Sequence, residues 1–297
     1  MSSPQSRNLS VTARHDVYPA ISPETYFSGS SDAFRSKVVL VFGASKGIGL
    51  SISSFYIRAG AKLAMISRSE KALAVAKDQV ISEAGSFKPD VLTVAADVAD
   101  TKAVEEAVRQ VIEAYGRLDI VIANAGISSP WTKPFVENDP YSDWWRTLEV
   151  NLRGTYNVAH YTLPHLDKTS GSFVAITSAA SQVNARFASA YAVSKTALNR
   201  FIEYVSIEHP TVKSFSMHPG TIKTDSVITA IPYWERIAID TLQLPAATVL
   251  KLTDGSGRFD WISGKFVSAN WDLEELERDW KEDIMNKGLL ITRILVE

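Results

Sequence analysis

The sequence predicts an α/β fold built on a doubly wound, mostly parallel sheet of seven strands with helices on both faces. Three observations carry this. Short, nearly continuous apolar runs recur, as in Val38-Val39-Leu40-Val41-Phe42, the pattern of strands buried on both faces. Amphipathic stretches alternate with those runs, which is the order of strand–helix–strand units in a parallel sheet. The first run ends in a glycine-rich turn, Gly43 to Gly49, that passes directly into a helical pattern.

The elements follow in order. Strand 37–42 leads through the turn into helix 50–59. Strand 62–66 is followed by helix 69–84, strand 90–95 by helix 101–115 with Asp100 as its cap, and strand 119–123 by a longer helix, 142–167, that carries Asn151. Strand 172–177 ends at Ser178, and helix 187–208 carries Tyr191 and Lys195. Runs 212–217 and 265–267 complete the sheet. Ligands of open α/β sheets bind outside the carboxyl ends of the strands. Gly43, Ser67, Asp97, Asn124, Ser178 and Pro219 all fall at those ends, so one rim collects the polar residues of interest.

Bulk properties narrow the function. The 297 residues are 45% hydrophobic and 22% charged, an ordinary globular balance. A net charge of −2 with dispersed signs gives no reason to expect a nucleic-acid or anionic-membrane partner. The absence of cysteine removes disulfides, thiolate metal sites and cysteine nucleophiles together. Of five histidines only His160 and His165 lie near one another in sequence, five apart and poorly aligned on a helix, so no metal is expected. No apolar run approaches the roughly 18 residues that span a bilayer. Residues 1–14 hold serines and two arginines ahead of the first acid, Asp16, with neither an amphipathic pattern nor a secretory apolar region. A solvated tail is expected there, and the C-terminal Ile294-Leu295-Val296-Glu297 is no peroxisomal address. A cytoplasmic protein is the expectation.

The chemistry lies in Tyr191-Ala192-Val193-Ser194-Lys195. Residues four apart on a helix share a face, so Lys195 stands beside the Tyr191 phenol. A neighbouring positive charge favours phenolate and lowers the pKa. Bringing a phenol down by three units from about 10 takes about 4 kcal/mol. A lysine and a second cation together would supply it. Upstream, the glycines of Gly43-Ala44-Ser45-Lys46-Gly47-Ile48-Gly49 are spaced G-x-x-x-G-x-G, and such a turn lets a pyrophosphate approach the backbone at a helix N-terminus.

These residues together resemble the short-chain dehydrogenase/reductase family, over roughly residues 35 to 270, with the ends of fungal members. The family pattern T-G-x-x-x-G-x-G corresponds to Phe42 through Gly49, with Phe42 where threonine is usual, and N-N-A-G corresponds to Ala123-Asn124-Ala125-Gly126. Asp97-Val98, Asn151, Ser178, Tyr191, Lys195 and Pro219-Gly220 followed by Thr224 match the remaining landmarks, with intervals of 27, 13 and 4 along the Asn-Ser-Tyr-Lys tetrad. The resemblance implies a Rossmann-type fold. It also implies hydride transfer between a nicotinamide ring and a ketone or secondary alcohol. Tyr191 would be the general acid/base, Lys195 would lower its pKa and hold the nicotinamide ribose, and Ser178 would donate to the substrate oxygen. Asn151 would hold a water linking Lys195 to solvent. Gly43, Ser45, Lys46, Ile48, Gly49, Ser67, Arg68, Asp97, Asn124, Tyr191, Lys195, Ile222 and Thr224 would contact the cofactor. The alternatives are a non-redox isomerase or cyclase, or a cofactor-binding protein, on the same fold.

The end of the second strand bears on the cofactor. An NAD enzyme carries an acid there for the ribose 2′-hydroxyl. Ser67-Arg68 stands in its place, and a guanidinium binds a 2′-phosphate through its planar fork. Lys46 adds a cation, as in many NADP-using relatives. Each alone also fits a solvated surface charge; together they favour NADP(H), with NAD(H) kept as the lesser alternative by Glu70.

The segment 225–245 occupies the position of the family's variable substrate lid. Its Ile228, Ile231, Tyr233, Trp234 and Ile237, with Trp131, Phe135, Trp144 and Trp145, suit a bulky hydrophobic substrate, or else pack the lid on the core. The chain divides into an N-terminal extension 1–34, a catalytic domain 35–270 and a helical C-terminal extension 271–297. In the last, Trp280, Ile284 and Met285 face either the chain's own core or a neighbour. A homodimer or homotetramer through the helices of Asn151 and Tyr191 is what the resemblance implies.

Overall fold

The computed structural model describes residues 9–85 and 87–294. Seven strands form one sheet: β1 (Val38–Phe42), β2 (Lys62–Ser67), β3 (Asp90–Ala95), β4 (Ile120–Ala123), β5 (Ser172–Ile176), β6 (Lys213–His218) and β7 (Lys265–Ser268). Their order is β3-β2-β1-β4-β5-β6-β7, and every neighbouring pair is parallel. The chain reverses its direction of travel across the sheet between β1 and β4, which opens a crevice at their carboxyl ends.

Alternation along β1 shows why its run is continuously apolar. Val39 and Val41 point into one core, and Val38, Leu40 and Phe42 point into the other. The first core is roofed by α1 (Gly47–Arg58) and α2 (Glu70–Ser82). The second is covered by α3 (Thr101–Tyr115), α4 (Gly154–Thr169) and α5 (Ser189–Glu208). Asp100 caps α3 by accepting from the Lys102 and Ala103 amides, and Ser69 caps α2 through the Ala72 amide.

The expected helix 142–167 is a longer helical run. Two π turns, Pro140–Trp145 and Glu149–Arg153, flank the single turn Arg146–Leu148 and lead into α4. After β6 come the short α6 (Asp225–Ala230) and then α7 (Gln243–Leu252), which packs on α1. No sequence pattern announces α7, whose first residues fall within the expected lid 225–245. Leu244, Ala246, Ala247, Val249, Leu250 and Leu252 are all buried, so the helix lacks the polar face that makes a period visible.

Residues 17–34 and 273–284 pack on the first core. Tyr18, Ile21, Tyr26 and Phe34 are buried in it, and Tyr26, Phe34 and Tyr56 form edge-to-face pairs. The solvated tail expected over residues 1–14 falls partly outside the described residues. Over residues 9–14 the structure corrects it: Ala13 bridges Trp271, Arg14 pairs with Asp272 at 2.7 Å, and the Thr12 hydroxyl donates to Glu275 at 2.8 Å. The C-terminal stripe turns to its own core through Leu273, Leu276 and Ile284, while Met285 faces outward.

Candidate active site

The glycine turn is held by close packing. Gly43 has φ +76°, and a Cβ there would stand 2.9 Å from the Ala125 backbone. A Cβ on Gly49 would run into the Gly43 carbonyl oxygen. That oxygen accepts from the Asn124 Nδ2 at 2.9 Å, so the loop after β4 is fastened to the turn after β1. Helix α1 begins with Lys46 as its N-cap and no side chain capping it, which leaves its first amides facing the rim. Ser45 and Ile48 belong to this turn. Across the crevice lies the loop after β6: the Thr224 methyl approaches Gly47, and Ile222 is buried beneath it.

At the end of β2 the Ser67 hydroxyl is buried and has no hydrogen-bond partner among the described residues. Arg68 follows it, near enough to Asp97 to act on its charge. Burial works to raise the Asp97 pKa. The Ala99 amide at 2.9 Å and the Arg146 guanidinium at 2.8 Å outweigh it, so the carboxyl stays below its ordinary range. Arg146 was missed in the sequence; its partner lies 49 residues away, beyond any local spacing rule. The Lys46 ammonium spans the crevice to Asp225 at 2.6 Å.

Asn151, Ser178, Tyr191 and Lys195 lie on the same rim. Asn151, on the second π turn, is fully buried. It accepts from the Ile127 amide at 2.8 Å and donates to the Ile127 carbonyl at 2.9 Å and to Ser194 Oγ at 3.0 Å. Ser194 donates in turn to the Tyr191 carbonyl at 2.7 Å. The Ser178 hydroxyl accepts from the Ala180 amide at 3.1 Å, leaving its hydrogen to donate elsewhere. Lys195, 4% exposed, donates from Nζ to the Ile176 carbonyl at 2.7 Å.

The Tyr191 phenol lies above its ordinary range, not below it. Burial pushes the phenol up, and only the Ser178 hydrogen bond pulls it back. The reason is that burial acts on both members of the pair. It pushes Lys195 down to about 8, and Nζ is turned to Ile176, 5.6 Å from the centre of the Tyr191 ring.

Aromatic residues wall the site. The Trp131 ring stands 6.0 Å from that of Tyr191, and its backbone amide donates to the Ala230 carbonyl of α6 at 2.8 Å. Trp144 donates from Nε1 to Ser189 Oγ at the start of α5. Ile231 packs inward, whereas Phe135, Trp145, Ile228 and Tyr233 are exposed. Phe187, four residues before Tyr191, holds φ +69°, a strained conformation for a bulky side chain that no sequence pattern announced. His218, which ends β6, is buried with Nδ1 unpartnered among the described residues; burial pushes it down to about 4.

The sequence pattern described as short chain dehydrogenase matches residues 37–232. A short chain dehydrogenase of Monascus purpureus is 34% identical over 95% of this chain and 94% of its own length. Levodione reductase superposes with a TM-score of 0.72 at 23% identity, covering 80% of this chain and 97% of its own, a likeness of fold. An alcohol dehydrogenase from the archaeon Thermococcus sibiricus, solved with 5-hydroxy-NADP, superposes at 0.66 with 26% identity over 78% of this chain and 95% of its own.

Proposed function

The chain belongs to the short-chain dehydrogenase family, and from that premise we propose that it is an NADP(H)-dependent oxidoreductase acting on a bulky hydrophobic ketone or secondary alcohol. One observation carries the reading: the interlocked cradle of Gly43, Gly49 and Asn124 opens onto the same rim as Tyr191, Ser178 and Lys195. The residues fit a nicotinamide dinucleotide. The uncapped start of α1 suits a pyrophosphate, and the orphaned Ser67 hydroxyl suits the adenosine ribose. Ser45, Lys46, Ile48, Arg68, Asp97, Ile222 and Thr224 would hold the remainder.

The dinucleotide, when bound, supplies or accepts the hydride. Tyr191 gives its phenolic proton to the carbonyl oxygen in reduction and recovers it in oxidation. Ser178, its acceptor side taken by Ala180, donates its hydroxyl hydrogen to that same oxygen. Lys195 holds a proton within the protein interior near neutral pH. Asn151 fixes the Ile127 peptide and, through Ser194, the helix turn of Tyr191. A water beside Asn151 would complete a path from Lys195 to solvent.

The choice of NADP(H) is supported by charge. Asp97 is paired with Arg146, which leaves Arg68 beside Ser67 to meet a 2′-phosphate. Glu70 begins α2, where a carboxylate serves the helix dipole. Exposed Phe135, Trp145 and Tyr233, in the segments after β4 and β6, support a bulky apolar substrate. Exposed Tyr156 on α4 with Val193, Tyr204 and Ile207 on α5 support a homodimer or homotetramer through those helices. Among the described residues no helix is long and apolar enough to cross a membrane.

Titration with NADPH and NADH, followed by energy transfer from the seven tryptophans, tests the cofactor. The expected result is NADPH bound at least about tenfold more tightly, 1.4 kcal/mol of discrimination. A preference for NADH would overturn the phosphate reading. Binding of neither would overturn the redox function.

A further inference from the structure

The loop after β6 has an unusual support. Asp240, whose side chain is only 4% exposed, receives three donors on one carboxylate. The Thr221 amide reaches Oδ2 at 2.5 Å; His15 Nδ1 and Asn270 Nδ2 reach Oδ1 at 2.6 and 2.9 Å. The backbones join as well, through a parallel bridge of Ile222 with Asp240 and an Asp240 amide bond to the Thr221 carbonyl at 3.2 Å. Gly220, at φ +94°, has no room for a Cβ, which would stand 2.7 Å from Oδ2.

The partners are themselves pinned. Asn270 donates to the Arg14 carbonyl at 2.8 Å and accepts the Arg14 amide at 2.7 Å. The His15 carbonyl accepts from the Thr241 amide at 2.9 Å, and Asp16 accepts from the Thr241 hydroxyl at 2.7 Å. A segment 225 residues upstream is therefore stitched to the far side of the loop that faces the glycine turn.

We infer that Asp240 is a positioning residue for the dinucleotide-facing loop 219–224, and that the N-terminal segment, through His15, is the strap that holds it there. The inference rests on reading that loop as cofactor-facing. The physical reason is the cost of leaving a buried carboxylate short of donors. With His15 in place, Asp240 is fixed and the Thr221 amide is fixed on it. Thr224 then caps α6 against the glycine turn. Without His15, the carboxylate turns toward water and the loop populates other conformations. The apparent affinity for dinucleotide falls by the fraction of molecules that remain competent. The core beneath should be untouched, because the His15 side chain is half-exposed.

His15→Ala and His15→Asn in the full chain test this, the asparagine amide restoring a donor near the Nδ1 position. Hydrogen exchange over residues 219–230 is measured in the dinucleotide-free protein, and NADPH binding by tryptophan energy transfer. His15→Ala should speed exchange in that peptide and weaken NADPH binding by about tenfold each, as for one lost bond to a buried charge. Exchange in β1 and β4 should stay unchanged, and His15→Asn should recover most of both effects. Unchanged exchange and affinity in His15→Ala would overturn the strap, as would faster exchange spread evenly over the sheet. So would an asparagine variant no better than alanine. If the wild-type chain binds neither NADPH nor NADH, the redox reading fails, and the exchange comparison alone decides whether the strap holds the loop.

Discussion

Lys195 donates its Nζ hydrogen to the Ile176 carbonyl oxygen at 2.7 Å, across the join between β5 and α5. The contact makes the lysine a structural strut of the rim as well as a charge beside Tyr191. A buried ammonium with one carbonyl partner is costly, and the depression of its pKa to about 8 records that cost. Tyr191 pays in the opposite direction, its phenol raised by the same burial. Burial works against the charged form of each. A negatively charged reacting oxygen or phenolate would favour the protonated lysine, and a cationic neighbour would favour the phenolate.

The lysine shift fixes the sign of a stability difference. Its folded pKa lies below the unfolded value of about 10.4, so between pH 8 and 10.4 the unfolded chain binds the extra proton. Stability should therefore rise with pH through that window, and the full penalty should be present below pH 8. Relative to Lys195→Met, the wild type should gain on the order of 3 kcal/mol between pH 7 and pH 11. Denaturant unfolding of both proteins across that range measures it; a difference independent of pH would contradict the burial argument.

Tyr191→Phe removes the only proposed proton donor and keeps the ring that meets Trp131. Turnover should fall by about 10²–10⁴-fold while NADPH binding stays within about twofold. Ser178→Ala should cost about 10²-fold by the same assay. Because the phenol is raised, reduction in the wild type should hold steady through neutral pH and oxidation should climb with pH.

Asn151→Ala should act first on stability. It leaves both peptide atoms of Ile127 without their partner, and Ser194 Oγ without its donor. A loss of about 2–4 kcal/mol is expected in denaturant unfolding. Loss of turnover with unchanged stability would instead assign Asn151 to the chemistry alone.

Much of this was legible in the sequence because it depends on short spacings. The strand runs, the glycine turn and the Tyr191–Lys195 register are all local, and the strand ends put Ser67, Asp97, Asn124 and Ser178 on one rim before any coordinates. What escaped was non-local or unperiodic. Helix α7 is buried on nearly every side; Arg146 meets Asp97, and His15 meets Asp240, across distances that no motif spans. Helical spacing brings Lys195 alongside Tyr191 but says nothing of the Ile176 carbonyl that accepts from Nζ or of the burial acting on both.

Ser170 ends α4 in the left-handed region at φ 48°, exposed and with only its backbone engaged by the preceding turn. Glycine suffers no Cβ penalty there. Ser170→Gly should stabilise the protein by about 1 kcal/mol without touching the rim, read as a raised denaturation midpoint with an unchanged slope.

Lys46 and Asp225 close the outer side of the crevice with a bridge exposed on both partners, and Lys46 holds the Asp225 carboxyl below its ordinary range. A 2′-phosphate would have to compete with Asp225 for the same ammonium. Asp225→Asn should therefore tighten NADPH binding by roughly two- to fivefold at low ionic strength and leave NADH unchanged, with the gain fading toward 1 M salt as the charges are screened. Arg68→Ala should do the reverse, weakening NADPH by about tenfold or more and NADH hardly at all. Titrating both dinucleotides into both variants separates the contributions. Equal effects on NADPH and NADH would mean that Lys46 and Arg68 serve the shared pyrophosphate and adenine, and that the 2′-phosphate is not what they read.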